Sequence, residues 1–130
     1  MSRGVEVIEG VVPSKSNCYT VARNKQGRYF LAKSDEVRRY ERSFAKQCKV
    51  YKGAGISQQF TITLAVYYPD YTHDLDNSLK AVLDCLQQVG AITNDNLCTR
   101  IEATRHHDTH RPRIEFEIIV HNEQTALFDL

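Results

Sequence analysis

Three acidic side chains stand out for the chemistry they could do together. Asp74 and Asp76 lie one residue apart in His73-Asp74-Leu75-Asp76-Asn77-Ser78-Leu79-Lys80, and Asp95 sits in Asn94-Asp95-Asn96. Clustered carboxylates repel one another unless a hard divalent cation such as Mg²⁺ or Mn²⁺ neutralises them. A site of that kind, with waters in its remaining coordination positions, suits metal-assisted attack on a phosphodiester. The Asp74–Asp76 pair sits where a strand-like run passes into a helix-like one. Residues two apart on an ideal helix diverge by about 200°, whereas in an extended segment they point to the same side. The spacing therefore predicts an extended approach to a helix. Both carboxylates then share one surface, where the positive helix end helps keep them ionised.

A plainer reading uses the same residues. Asp74 or Asp76 can serve as a helix N-cap, Asp95 as a turn residue, and Lys80 as the i+4 ion-pair partner of Asp76. Asp95 also lies past the far end of the helix, so it reaches the pair only if the following segment crosses back. Spacing alone leaves both readings open.

The elements that must position these residues are legible. Phe60, Ile62, Leu64 and Val66 alternate within Gln59 to Tyr68, the strongest strand pattern in the chain. Leu75, Leu79, Val82, Leu83, Leu86 and Val89 then follow helical spacing up to Gly90, with Asp76, Lys80, Asp84 and Gln87 along one border of the apolar stripe. Upstream, Val5 to Val12 alternates as a first strand with its valines set against Glu6 and Glu9. Cys18 to Arg23 and Arg28 to Ala32 flank a Gly-containing turn as a hairpin. Ser34 caps a helix whose apolar face is Val37, Tyr40, Phe44 and Cys48. Leu97 to Thr104 and Ile114 to His121 read as two further strands, joined by the cationic loop Arg105 to Arg113. The sum is an α+β domain over residues 1–121, a small mixed or antiparallel sheet with two main helices, followed by a tail at 122–130.

Composition narrows the class. With 17 Lys and Arg against 16 Asp and Glu the net charge is +1, so a polyanion would have to be met by local patches. The four cysteines are scattered without a C-x-x-C spacing, which argues for free thiols in a reducing cytoplasm. No run approaches the ~20 apolar residues of a membrane span, and no secretory signal pattern opens the chain, so cytoplasmic localisation is expected.

At this point the motifs converge on a family. Asp74-Leu75-Asp76-Asn77-x-x-Lys80-Ala81-x-x-Asp84-x-Leu86, then Gly90 and Asn94-Asp95, resembles the D-x-D-N-x-x-K-A-x-x-D-x-L signature and acidic turn of the RusA family of Holliday junction resolvases. Pro13-Ser14-Lys15-Ser16-Asn17 is similar to the family's early P-P-S-x-N stretch, and the likeness runs from about Val7 to about Val120. The resemblance implies an Mg²⁺-dependent (Mn²⁺ being a second possibility) homodimeric endonuclease. It would cut four-way DNA junctions by paired nicks during recombination and repair. By position it makes Asp74, Asp76 and Asp95 the metal-binding acids and Lys80 the catalytic lysine steadying the scissile phosphate or the attacking water. Asn77 would orient the acids, and Asp84 would be structural, pairing with Lys80. Two departures matter: the turn has Asn94 where the family often has an acid, and the chain is less basic than its relatives. DNA contact is therefore expected from Lys15, Asn17, Arg23, Lys25, Arg28, Arg105, Arg111 and Arg113. The alternative is a module that binds junctions or other branched DNA without cleaving.

Two further signals complete the reading. His106, His107 and His110 are expected in a solvated or phosphate-contacting loop rather than in a metal site. Gln124, Leu127 and Phe128 resemble the Q-x-x-L-F peptide that docks on bacterial sliding clamps; the tail could equally pack on its own domain.

Overall fold

The computed structural model describes residues 2–13 and 19–121, with the side chains of Tyr19 and Asn77 outside the described set. Lys15, Asn17 and the tail residues Gln124, Leu127 and Phe128 lie outside the described residues, as does the side chain through which Asn77 would play its supporting role.

Nine-residue alternation makes β4 (Phe60–Tyr68) the centre of the molecule, since Phe60, Ile62, Leu64, Val66 and Tyr68 are all buried on one face. Helix α2 (Asp76–Gln88) follows it and ends at Gly90, whose φ of 73° is open to glycine at no steric cost. The chain then returns through a 3₁₀ turn, Asp95–Leu97, into β5 (Cys98–His107), which runs parallel to β4 from Phe60↔Cys98 to Tyr68↔His107. This crossover places the start of α2 at the carboxyl end of β4. Strand β6 (Arg113–Val120) lies antiparallel on the other side of β4, and β1 (Glu6–Glu9) pairs with β6. The sheet order is β1-β6-β4-β5.

Helix α1 (Asp35–Gln47) begins where the Ser34 hydroxyl accepts the Val37 N–H at 3.2 Å, and it buries Val37, Tyr40 and Phe44. Both helices contribute to one core with β4, β6 and Ile8 of β1, so they cover the same face of the sheet. The second sheet is the hairpin of β2 (Tyr19–Arg23) and β3 (Tyr29–Lys33). The α+β class with two helices and a mixed sheet is as the sequence predicts. Among the described residues no helix is long and apolar enough to cross a membrane, and Cys48, Cys85 and Cys98 are free thiols.

Three expectations need correction. In β1 the inward face carries Glu6 and Ile8, while Val5 and Val11 are exposed. The Glu6 carboxylate accepts the backbone N–H groups of Lys49, Val50 and Tyr51 at 3.0, 2.7 and 3.2 Å and the Cys48 thiol at 3.2 Å. Four donors compensate its burial where an aliphatic side chain would leave three amides unpaired. Second, β5 extends through Arg105, His106 and His107, so the cationic joining loop is only 108–112. An edge strand exposed along most of its length lacks the alternation that would have revealed it. Third, Leu75 is already helical in φ and ψ (−60°, −43°), so the chain through Asp74–Asp76 is not an extended approach.

Candidate active site

The acids sit where β4 hands over to α2. Helix α2 has Leu75 as its N-cap and no side chain capping it. Asp74 and Asp76 are thus not absorbed by capping, which removes the plainest structural role open to them. Both carboxylates are exposed, and neither has an ion-pair partner among the described residues.

Beneath them lies a buried polar joint. The Tyr68 hydroxyl, at the last position of β4, donates to the Asp74 carbonyl at 3.2 Å and is hydrogen-bonded to the buried Ser78 hydroxyl in the first turn of α2. Burial pushes the Tyr68 hydroxyl pKa up, the Ser78 bond and the Arg105 charge oppose this, and the negative charges of Asp74 and Asp76 add to the rise. The two carboxylates therefore share the surroundings of one phenol. His73 stacks on the Tyr68 ring at 5.0 Å and places Nδ1 2.8 Å from Asp70 Oδ1. Arg105 on β5 donates to the His73 carbonyl at 3.1 Å. Hydrogen bonds from Thr72, with His73 adding to them, hold the exposed Asp70 carboxyl down at about 2.

Further down the same face of α2 lies the lysine. Asp76, Lys80 and Asp84 recur at i, i+4 and i+8, and the Lys80 ammonium reaches Asp84 Oδ1 at 3.0 Å and Asp95 Oδ2 at 3.1 Å. Both carboxylates raise the lysine pKa. The Asp95 backbone N–H is accepted by Gln87 Oε1 at 3.2 Å, and Asn94 caps the 3₁₀ turn by accepting the Asn96 N–H at 3.0 Å. Asp95 does cross back to α2, but it meets Lys80 instead of joining Asp74 and Asp76. The rise from Asp76 to Asp84 is about 12 Å along the axis, and Lys80, midway between them, pairs with Asp84 and Asp95. Among the described residues no group of three His, Cys, Asp or Glu side chains is close enough to hold an ion. The three-carboxylate ligand set expected from the sequence is thus not assembled here.

A cation nevertheless suits the remaining pair. Mg²⁺ is commonly held by one or two carboxylates with waters and substrate phosphate oxygens completing its octahedron. Asp74 and Asp76, without ion-pair partners among the described residues, could supply two hard ligands beside a helix N-terminus, and the open surface leaves room for the rest.

The expected DNA contacts divide. Lys25 and Arg28 are exposed at the β2–β3 turn, where Arg23 also donates to the Gly27 carbonyl at 3.2 Å. Arg105 and Arg111 are exposed too, Arg111 pairing with Glu9 at 2.5 Å. Arg113 is different. Its side chain is only 12% exposed, paired with Asp108 and Glu115 at 2.9 and 2.8 Å, and laid over the Tyr67 ring at 3.7 Å. It fastens β6 to the preceding turn and is not placed to meet phosphate. His106 and His107 stack on Tyr67 and Tyr71 at 4.6 and 4.2 Å and so reinforce the edge strand.

Sequence reasoning missed the Tyr68–Ser78 joint and the Asp70–His73 pair. Tyr68 and Ser78 are ten residues apart with no periodic relation, so only the strand-to-helix turn reveals them. Residues 10–119 match the family described as Endodeoxyribonuclease RusA. No curated protein matches the sequence. With the acidic helix start and its lysine on an α+β frame, and with the match spanning most of its length, the chain belongs to the RusA endodeoxyribonuclease family.

Proposed function

We propose that this chain is an Mg²⁺-dependent endonuclease that resolves four-way DNA junctions, acting as a homodimer in cytoplasmic recombination and repair. The observation that carries the reading is the pair Asp74 and Asp76: exposed, uncapping and without an ion-pair partner among the described residues, with Asp76 one helical turn from Lys80. Asp74 and Asp76 hold the cation, which when bound would activate water and polarise the scissile phosphate. Lys80 has three N–H donors; Asp84 and Asp95 accept two, leaving one for a phosphate oxygen. Asp95 therefore acts by aiming the lysine. Tyr68 and Ser78 fix the backbone that presents the acids. A two-fold dimer would set two such sites against a two-fold symmetric junction and account for paired nicks.

The test is cleavage of a synthetic four-way junction in Mg²⁺ or Mn²⁺ with product mapping. Asp76→Asn is expected to lower kcat at least about 10³-fold while junction affinity is retained. Equal cutting by the variant would sink the proposal, and a wild-type chain that binds junctions but leaves them intact with either metal would identify a binding module instead.

A further inference from the structure

The β2–β3 hairpin stands apart from the main sheet and presents to solvent the side chains that would ordinarily pack it down. Val21, Tyr29 and Leu31 are 69, 71 and 72% exposed. Register pairs Val21 with Leu31 and Arg23 with Tyr29, so all four share one face. Phe30, opposite Ala22, projects from the other face and is also largely exposed. Across residues 19–33 the cations are Arg23, Lys25, Arg28 and Lys33, and there is no acid. At its base, Lys33 lines an open cleft of about 420 Å³ together with Lys80, Asp84, Gln87 and Gln88, so the hairpin rises directly from the border of the lysine site.

We propose that the Val21–Tyr29–Leu31 face of this hairpin packs against unstacked bases at the branch point of the DNA bound at the Asp74–Lys80 site. This rests on the nuclease reading above. An apolar strip gains nothing from phosphates, and in duplex DNA base faces are hidden inside the stack. Branch points and single strands expose them, and aromatic side chains within a cationic groove are the general means of holding exposed bases. Arg23, Lys25 and Arg28 at the turn flank the strip where phosphates would lie, while Lys33 at the base pairs with Glu41 at 2.8 Å. A second copy of the chain is the poorer occupant, because a two-fold contact would set this acid-free cationic segment against itself.

The chain has no tryptophan, so Tyr29→Trp introduces a single indole reporter on the full chain. Titration without divalent cation compares a four-way junction with a duplex of equal length. Indole emission should fall at least about two-fold on junction and change little on duplex. In the otherwise unsubstituted chain, Val21→Ser with Leu31→Ser should weaken junction binding roughly ten-fold and duplex binding less than about two-fold, with circular dichroism and size-exclusion profile unchanged. Equal quenching by duplex overturns the proposal, as does an unquenched indole on a bound junction. A Val21/Leu31 variant that loses self-association would make the face an interface between copies and also overturn it. If the unsubstituted chain binds no junction at all, the nuclease reading itself fails, a result distinct from bound junction with a silent indole.

Discussion

The Lys80 ammonium lies 3.1 Å from the Asp95 carboxylate, fifteen residues further along the chain, and this contact ties the turn after α2 back to the helix face below Asp76. Asp84 and Asp95 hold the lysine, which makes no ion pair with Asp74 or Asp76 among the described residues. On the proposed reading Asp84 and Asp95 aim it at the scissile phosphate. Lys80→Ala should lower kcat for junction cleavage about 10²–10³-fold. The exposed ion pairs it removes are worth only ~0–1 kcal/mol, so thermal stability should barely move. A large fall in melting temperature would recast Lys80 as a structural residue.

Tyr68 is buried under the acids, and on the proposed reading its effect should appear in metal affinity. Tyr68→Phe removes the hydroxyl shared by Ser78 and the Asp74 carbonyl. Half-saturation by Mg²⁺ should rise roughly ten-fold, with kcat at saturating metal close to that of the unsubstituted chain. Calorimetric titration of Mg²⁺ gives the same affinity without cleavage. An unchanged metal affinity would remove Tyr68 from the site.

Glu6 is a structural anchor far from the acids. Glu6→Ala strands the N–H groups of Lys49, Val50 and Tyr51, and should destabilise the fold by about 3 kcal/mol in urea denaturation. Junction cleavage at low temperature should survive, since nothing in the site depends on that strand. Wild-type stability in the variant would show that the three amides find water instead.

The buried thiols set an alkaline limit. Burial pushes Cys48 and Cys85 up to about 12, with the neighbouring Glu6 adding to the rise at Cys48. A thiol whose folded pKa is raised holds its proton more tightly in the folded chain. Its contribution to stability is complete below the ordinary thiol pKa, near 9, and is lost as pH climbs from there through about 12. Melting temperature should thus decline across about pH 9–12, and Cys85→Ala should flatten that decline. An identical slope in the variant would count against the assignment.

The range of each interaction decided whether it could be read from the chain. The β4 alternation, the two helices and the β2–β3 hairpin were legible because local periodicity and the Ser34 cap encode them. The motif pointed to Asp74, Asp76 and Lys80, and the structure sets Asp76 and Lys80 on one helix face. The meeting of Asp95 with Lys80 was hidden because it depends on where β5 docks, and no spacing rule spans a helix and a return strand. The inward place of Glu6 was hidden for a similar reason: the amides that satisfy it come from a segment more than forty residues later. Arg113 looked like another surface cation until Asp108, Glu115 and Tyr67 closed around it.

The sheet order β1-β6-β4-β5 has a consequence in time. Glu6–Glu9 has its sheet neighbour in Arg113–Phe116, more than a hundred residues downstream. At ribosomal rates that interval is roughly 5–20 s. During synthesis the amides of Lys49 to Tyr51 can emerge and α1 can form long before β6 exists to receive β1. The earliest strand to leave the ribosome is therefore among the latest to be seated, and its docking closes assembly of the sheet.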